Sequence, residues 1–273
     1  MIVAAAVQLA ASNDRADNLA RAEALIRDAA DGGARLVVLP EIFSAPFVGA
    51  ETDLRYFEWA EPADGPSNAM ARDVSTELDI TVMSSIFEAT TVTGVYHNST
   101  FTFRNGEHVH TYRKSHLPFS NGFPEKFYFR PGSASPSTFA VEDATVGTII
   151  CYERHFPELS RLLALQGADV MCVPVACAST PTKEVFQLEL RAHAAFNSMF
   201  VVCANRVGRE GDKHYYGMSA IYGPDGAVVA ACGDDEGVVL AEIDPTLVRQ
   251  RRHVLPFLRD RRPDLYRAIA GDG

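Results

Sequence analysis

The chain has 273 residues, 47% of them hydrophobic, and a formal net charge of −10. That describes a globular protein with a sizeable core and argues against a nucleic-acid partner, which would call for a basic stripe interleaved with aromatics. No apolar run reaches the roughly 18 residues of a membrane span, and the cluster Arg249-Gln250-Arg251-Arg252 is short enough to be a solvated helix end.

Residues 2–9 predict a strand; Met1 to Val7 are apolar but lack the basic region and cleavage context of a signal peptide. From Asn13 to Ala30, Leu19, Ala22, Ile26 and Ala29 recur near helical spacing, and Gly32-Gly33 supplies the stop. A strand over 35–39 leads to Glu41, a helix is expected over 66–78 after Gly65-Pro66, and strands over 80–87, 95–103 and 107–112. Residues 115–137 form the longest irregular stretch, and the aromatics Phe119, Phe123, Phe127, Tyr128 and Phe129 mark it as packed and functional rather than disordered. A strand over 145–151 and a helix over 157–166, opened by Pro157, come next. The remainder predicts a strand over 169–175, a helix over 182–198 and a strand over 199–205. Strands over 216–222 and 227–232 follow, around the turn Gly223-Pro224-Asp225-Gly226, then a strand over 236–242, a short helix and a tail. Strands and helices mix in both halves, which suits a single domain over residues 1–273 built as packed α/β layers.

Five cysteines, at 151, 172, 177, 203 and 232, are an odd number on a long chain and read as reduced thiols in a cytoplasmic setting. Cys172 and Cys177 have no further Cys or His at finger-like spacing. His108 and His110 share one strand face without a third ligand, so no metal site is expected.

Three strand ends carry chemistry. Val146 to Ile150 is an apolar run that stops on Cys151 and turns at once toward a helix. Open α/β sheets place their chemistry at that edge, and a nucleophile at such an elbow is exposed beside backbone N–H groups. Alone, Cys151 reads first as a buried structural thiol. Leu36 to Leu39 leads through Pro40 to Glu41, and the run from Tyr96 to Phe103, with the turn Asn105-Gly106, is followed by Lys114. If the three strands share one sheet edge, an acid, an amine and a sulfur converge. A thiol attacks as thiolate and needs a base, which Glu41 supplies. The oxyanion that develops needs a cation or N–H donors, here Lys114 and the N–H of Tyr152. The positive end of the 157–166 helix would also lower the Cys151 pKa.

In these segments the chain resembles the carbon–nitrogen hydrolases of the nitrilase superfamily, whose members use a Glu-Lys-Cys triad. The similarity runs from Val7-Gln8 to Arg259-Asp260-Arg261-Arg262-Pro263. It implies a four-layer αββα sandwich, with Glu41 as general base, Lys114 as oxyanion stabiliser and Cys151 as nucleophile. Glu125, in the run Glu125 to Gly132, matches a second glutamate that positions the triad. No cofactor is implied. Family members usually pair subunits through helices near the elbow, so a homo-oligomer is expected, with Leu159, Leu162, Leu163 and the 182–198 helix as its contacts.

The family attacks nitriles, amides or carbamoyl amines. Residues 125–132, 193–197, 205–208, 216–219 and 259–266 look most like N-carbamoylputrescine amidases. Those enzymes tend to carry Gln and Trp where this chain has Arg154 and His155, and an Arg–His pair after the nucleophile looks more like β-ureidopropionase and other N-carbamoyl amino acid amidohydrolases. Arg154 could grip a substrate carboxylate bidentately, with His155 donating to the same group. Arg154 could equally form an internal salt bridge, for instance to Glu153 or Glu158, with His155 simply packing. The expected reaction is hydrolysis of a small N-carbamoyl amine or N-carbamoyl amino acid with release of ammonia. The alternatives are an aliphatic amidase or nitrilase acting on a small neutral substrate, and a non-catalytic scaffold.

Overall fold

In the computed structural model, residues 1–47, 52–119, 122–178 and 180–269 are described; side chains are described for all of these except 180–182. The first half builds β1 (Ile2–Gln8), α1 (Arg15–Asp31), β2 (Leu36–Val38), α2 (Pro66–Glu77), β3 (Thr81–Ala89), β4 (Tyr96–Arg104) and β5 (Glu107–Arg113). A one-turn helix α3 (Glu125–Tyr128) leads to β6 (Thr138–Val141), β7 (Ala144–Thr148), α4 (Pro157–Leu165), β8 (Val170–Val175), α5 (Thr180–Asn197) and β9 (Phe200–Asn205). The chain continues through β10 (Val207–Glu210), β11 (Lys213–Tyr216), β12 (Ala220–Tyr222), β13 (Val228–Ala231), β14 (Gly237–Ile243) and α6 (Pro245–Val254).

Two six-stranded sheets stack face to face, in the orders β14-β1-β2-β3-β4-β5 and β13-β12-β9-β8-β7-β6. Most central strands are buried on both faces, which is why they read as near-continuous apolar runs. Ala4, Ala6, Leu36, Val38 and Met83 of the first sheet meet Val146, Val170, Cys172 and Val202 of the second. The alternate residues Ala5, Val7, Val37 and Val82 face Ala22, Ile26, Ala29, Ala71 and Val74 of α1 and α2. On the other side, Met171, Val173 and Val201 face Leu159, Leu163, Phe186, Leu190 and Ala194 of α4 and α5. The period of two along the strands and of about four along the helices generates the αββα order. Asp14 caps α1 by accepting from the Asp17 N–H, and Pro66 and Pro157 open α2 and α4.

Several expected elements differ. The strand expected over 145–151 ends at Thr148, and Cys151–His155 is a 3-10 turn. The strand expected over 216–222 is broken at Gly217 and Met218, both with positive φ, so β11 pairs with β10 as a separate ribbon and β12 joins the second sheet. β6, β10 and the 3-10 turn Leu54–Trp59 are too short to carry a clear period in the sequence. Part of the 115–137 stretch, Ser120 and Asn121, lies outside the described residues. Elsewhere in it, Tyr128 and Phe129 are buried against Phe47 and Phe87, whereas Phe119 is exposed. His108 lies against Phe101 and Phe103, and His110 stacks on Phe139. Among the described residues no helix is long and apolar enough to cross a membrane.

Candidate active site at the seam of the two sheets

β2 runs parallel to β1 and β3, and β5 returns to that direction after antiparallel β4. In the second sheet β7, β8 and β9 are mutually parallel. A parallel bridge from Leu9 to Arg206 aligns the ends of β1 and β9, and the Glu41 N–H donates to the Val175 carbonyl at 3.4 Å. The carboxyl ends of both sheets therefore meet at one seam. Glu41 and Lys114 follow strands of the first sheet and Cys151 follows a strand of the second. The three do not share one sheet edge; two stacked edges bring them together.

All of them are buried. Lys114 Nζ donates to Glu41 Oε1 at 2.8 Å and lies 2.8 Å from both carboxylate oxygens of Glu125. Asn98 Nδ2 donates to Glu41 Oε1 at 2.7 Å. Glu41 Oε2 is buried with no hydrogen-bond partner among the described residues. Burial disfavours the Lys114 ammonium, but Glu125, Glu41 and Cys151 more than offset it and the pKa is raised. Burial pushes Glu125 up against the pull of Lys114, with Glu41 adding to the rise.

Cys151 has φ +48°, the left-handed region that a non-glycine residue enters at a cost of roughly 1–2 kcal/mol. A nucleophile elbow stores such strain. The Cys151 thiol is held well above its ordinary pKa by its hydrogen bond with Cys177, by burial and by Glu41, against the opposing pull of Lys114. This overturns the lowered pKa anticipated from the helix end: the turn Cys151–His155 stands between the thiol and α4, and the nearer groups dominate. A neutral thiol needs a base beside it.

The elbow is tied to the Lys114 loop by Glu153. Its Oε1 accepts from Tyr112 Oη at 2.6 Å, Ser115 Oγ at 2.6 Å and Ser115 N at 2.8 Å, and its Oε2 from Ile150 N at 2.8 Å. Burial would raise this carboxyl, but hydrogen bonds from His116, Ser115, Tyr112 and Ile150 prevail and hold it below the usual carboxylate range. Gly132 secures the same loop: its N–H donates to the Lys114 carbonyl at 2.8 Å, and a Cβ there would run into the Arg113 carbonyl.

The carbon–nitrogen hydrolase family model matches residues 3–253. The chain belongs to the carbon–nitrogen hydrolase family. This hydrolase is 34% identical over 286 residues to an N-carbamoylputrescine amidase of Solanum tuberosum, covering 98% of this chain and 95% of that one. It is 33% identical over 282 residues to a citrullinase of Francisella tularensis subsp. tularensis, covering 98% of each. A carbon–nitrogen hydrolase crystal structure from Helicobacter pylori G27 superposes with a TM-score of 0.94 at 28% identity, over 99% of this chain and 98% of that one.

Arg154 has an acidic partner within the chain. Its guanidinium is buried, forms an ion pair at 3.0 Å with Glu189 of α5, and donates from Nη1 to the Cys151 carbonyl at 3.0 Å. Its acidic partner is neither Glu153 nor Glu158. His155 Nδ1 lies 2.6 Å from the same Glu189, and its ring meets Tyr152 edge-on. Glu189 thus already answers both basic residues. Tyr152 follows Cys151 at the start of the 3-10 turn, where the first N–H groups have no partner within the helix.

Three buried residues escaped the sequence reading: Asn98, Glu153 and Arg206. Asn98 is one polar residue among several in a β-rich strand and carried no signal. Arg206 did carry one, since Asn205-Arg206 ends an apolar strand as Glu41, Lys114 and Cys151 follow theirs. Among the described residues no group of three His, Cys, Asp or Glu could hold a metal ion.

Proposed function

We propose that the chain hydrolyses the terminal C–N bond of a small N-carbamoyl amine or N-carbamoyl amino acid, releasing ammonia through an S-carbamoyl enzyme on Cys151. The observation that carries the reading is the state of Glu41. One carboxylate oxygen is pinned by Lys114 and Asn98, the other is buried and unpaired, and the carboxylate charge helps keep the Cys151 thiol neutral. Leaving a buried carboxylate oxygen unpaired costs of the order of 1–3 kcal/mol, an arrangement that suits an oxygen waiting for a proton.

In this mechanism Glu41 Oε2 takes the Cys151 proton and the sulfur attacks the ureido carbonyl. Lys114, a fixed cation braced by Glu125, and the Tyr152 N–H stabilise the oxyanion. Glu41 returns the proton to the departing ammonia and then activates water. The carbamate released breaks down to carbon dioxide and amine. N-carbamoylputrescine and citrulline, the compounds that name the two relatives, both carry the terminal ureido group this chemistry needs. Arg154 is paired with Glu189, so recognition of the ureido group is assigned to the triad and not to a grip on a distant carboxylate. The same site would accept a small neutral amide or nitrile as the alternative substrate.

Ammonia release from N-carbamoylputrescine, N-carbamoyl-β-alanine, a plain amide and a nitrile of similar length tests the reading. Carbamoyl compounds should turn over fastest, and Cys151→Ala should lose about 10⁴-fold or more. Full activity in Cys151→Ala on every compound would overturn it. We also propose self-association through α4 and α5. Leu159 and Leu163 are buried in the protein's own core, but Leu162, Leu165 and Leu188 are exposed on this side of the second sheet.

A further inference from the structure

The proposed hydrolysis uses one thiol, yet a second lies against it. β7 and β8 are adjacent parallel strands, with Thr148 opposite Cys172. Cys151 follows the first and Cys177 follows the second, so both sulfurs emerge at the same seam. Both side chains belong to one buried core cluster, and each residue is 6% exposed. Cys177 is held from behind, its N–H donating to Asn205 Oδ1 at 2.9 Å. The contact between the sulfurs, followed by the Arg154 charge, favours a thiolate at Cys177. Two touching thiols can carry one negative charge between them at little cost, but not two. Cys172 is packed between the sheets, Cys203 lies within β9 and Cys232 beyond the end of β13.

We propose that Cys177 is a resolving thiol: when a peroxide oxidises Cys151, Cys177 closes a Cys151–Cys177 disulfide that stops hydrolysis and that dithiols reverse. The inference rests on Cys151 being the nucleophile that substrate reaches, since a passage that admits a ureido compound admits hydrogen peroxide. In the first step Glu41 takes the Cys151 proton and the sulfur attacks peroxide; the O–O bond breaks, an S–O bond forms, and the hydroxide that leaves takes that proton to become water. In the second step Cys177 attacks that sulfur; an S–S bond forms, the S–O bond breaks, and hydroxide leaves to become water. The sum is two thiols and one hydrogen peroxide giving one disulfide and two waters. Without a neighbouring thiol, the sulfenic acid proceeds to sulfinic and sulfonic acids, which dithiols do not reduce.

The test treats the full chain with hydrogen peroxide, blocks free thiols with iodoacetamide and maps the peptides by mass spectrometry. Wild type should yield a peptide pair linked through Cys151 and Cys177, with activity lost and then recovered in dithiothreitol. Cys177→Ser and Cys177→Ala, each checked for folding by circular dichroism and scaled to its own untreated rate, should instead accumulate Cys151 sulfinic acid. Their recovery in dithiothreitol should be at least about tenfold poorer than wild type. Wild-type protein carrying Cys151 sulfinic acid beside an alkylated Cys177 would overturn the inference, as would Cys151 left unmodified. Failure of the nucleophile assignment shows separately, as hydrolysis that survives Cys151→Ala without any peroxide.

Discussion

Glu41 is placed by its backbone as much as by its side chain. The next residue, Ile42, has φ +48°, an outlier for a β-branched side chain. Ser85 Oγ accepts from the Ile42 N–H at 3.1 Å, and the buried Arg206 donates to the carbonyls of Glu41 at 3.0 Å, of Ala45 at 2.8 Å, and of Ile42. Glu210 balances the guanidinium at 2.5 Å. One planar fork therefore holds a strained turn in the conformation that aims the carboxylate. Lysine would keep the charge but cannot span three carbonyls. Arg206→Lys should lower kcat by about 10²-fold, since small misplacements of reacting groups cost that much, with a smaller change in KM. Steady-state kinetics on the best substrate of the panel reads the split, and an unchanged kcat would remove Arg206 from this role.

At the scale of elements, the sheets are joined at their edges as well as through their core. β5 and β6 are the edge strands of the two sheets, and His110 of β5 stacks on Phe139 of β6 at 4.6 Å between ring centroids. His110 Nε2 lies 3.0 Å from Ser137 Oγ, and Nδ1 has no partner. Burial, and then the nearby His108, lower its pKa from 6.5 to about 4. The folded state thus resists protonating His110, while the unfolded chain accepts the proton near its ordinary pKa. Stability from this contact is complete above pH 6.5 and falls as pH drops toward 4. Discounted for partial exposure, the loss should be about 1–2 kcal/mol. Urea unfolding of wild type and His110→Gln at pH 7 and pH 4 measures it. The difference between them should move in favour of the variant at low pH, and a pH-independent difference would count against the assignment.

At the scale of the whole molecule, α4 and α5 do two jobs. Their inner faces cover the second sheet, and His193 of α5 reaches the elbow, with Nε2 2.6 Å from the Arg154 carbonyl and Nδ1 2.9 Å from Ser160 Oγ. Their outer faces leave Leu162 38% and Leu188 63% exposed, with Leu165 and Phe196 nearby in sequence. A second subunit seated there would brace the helices that carry the Glu189 contact to Arg154 and His155. Leu162→Glu with Leu188→Glu should shift the sedimentation coefficient from an oligomer to a monomer and lower activity. A wild-type protein that sediments as a monomer would exclude this assembly.

The amino-acid sequence by itself determined the succession of most strands and helices, because burial on two faces or on one stripe imprints periods of two or about four. It also marked Glu41, Lys114 and Cys151, because each follows a strand-like segment, and their order matched a known family. Tertiary structure decided which of these ends meet. Two sheets, not one, bring the three groups together, and that depends on the alignment of β1 with β9, which no local pattern encodes. It decided the partner of Arg154, since Glu189 lies 35 residues away along the chain. Glu153, Asn98 and Arg206 act through hydrogen bonds to distant loops, and the contact of Cys177 with Cys151 exists only because β7 and β8 lie side by side. Short-range periodicity records how a segment is buried; which polar groups share a pocket depends on strand pairing and sheet stacking, which join residues far apart in the chain.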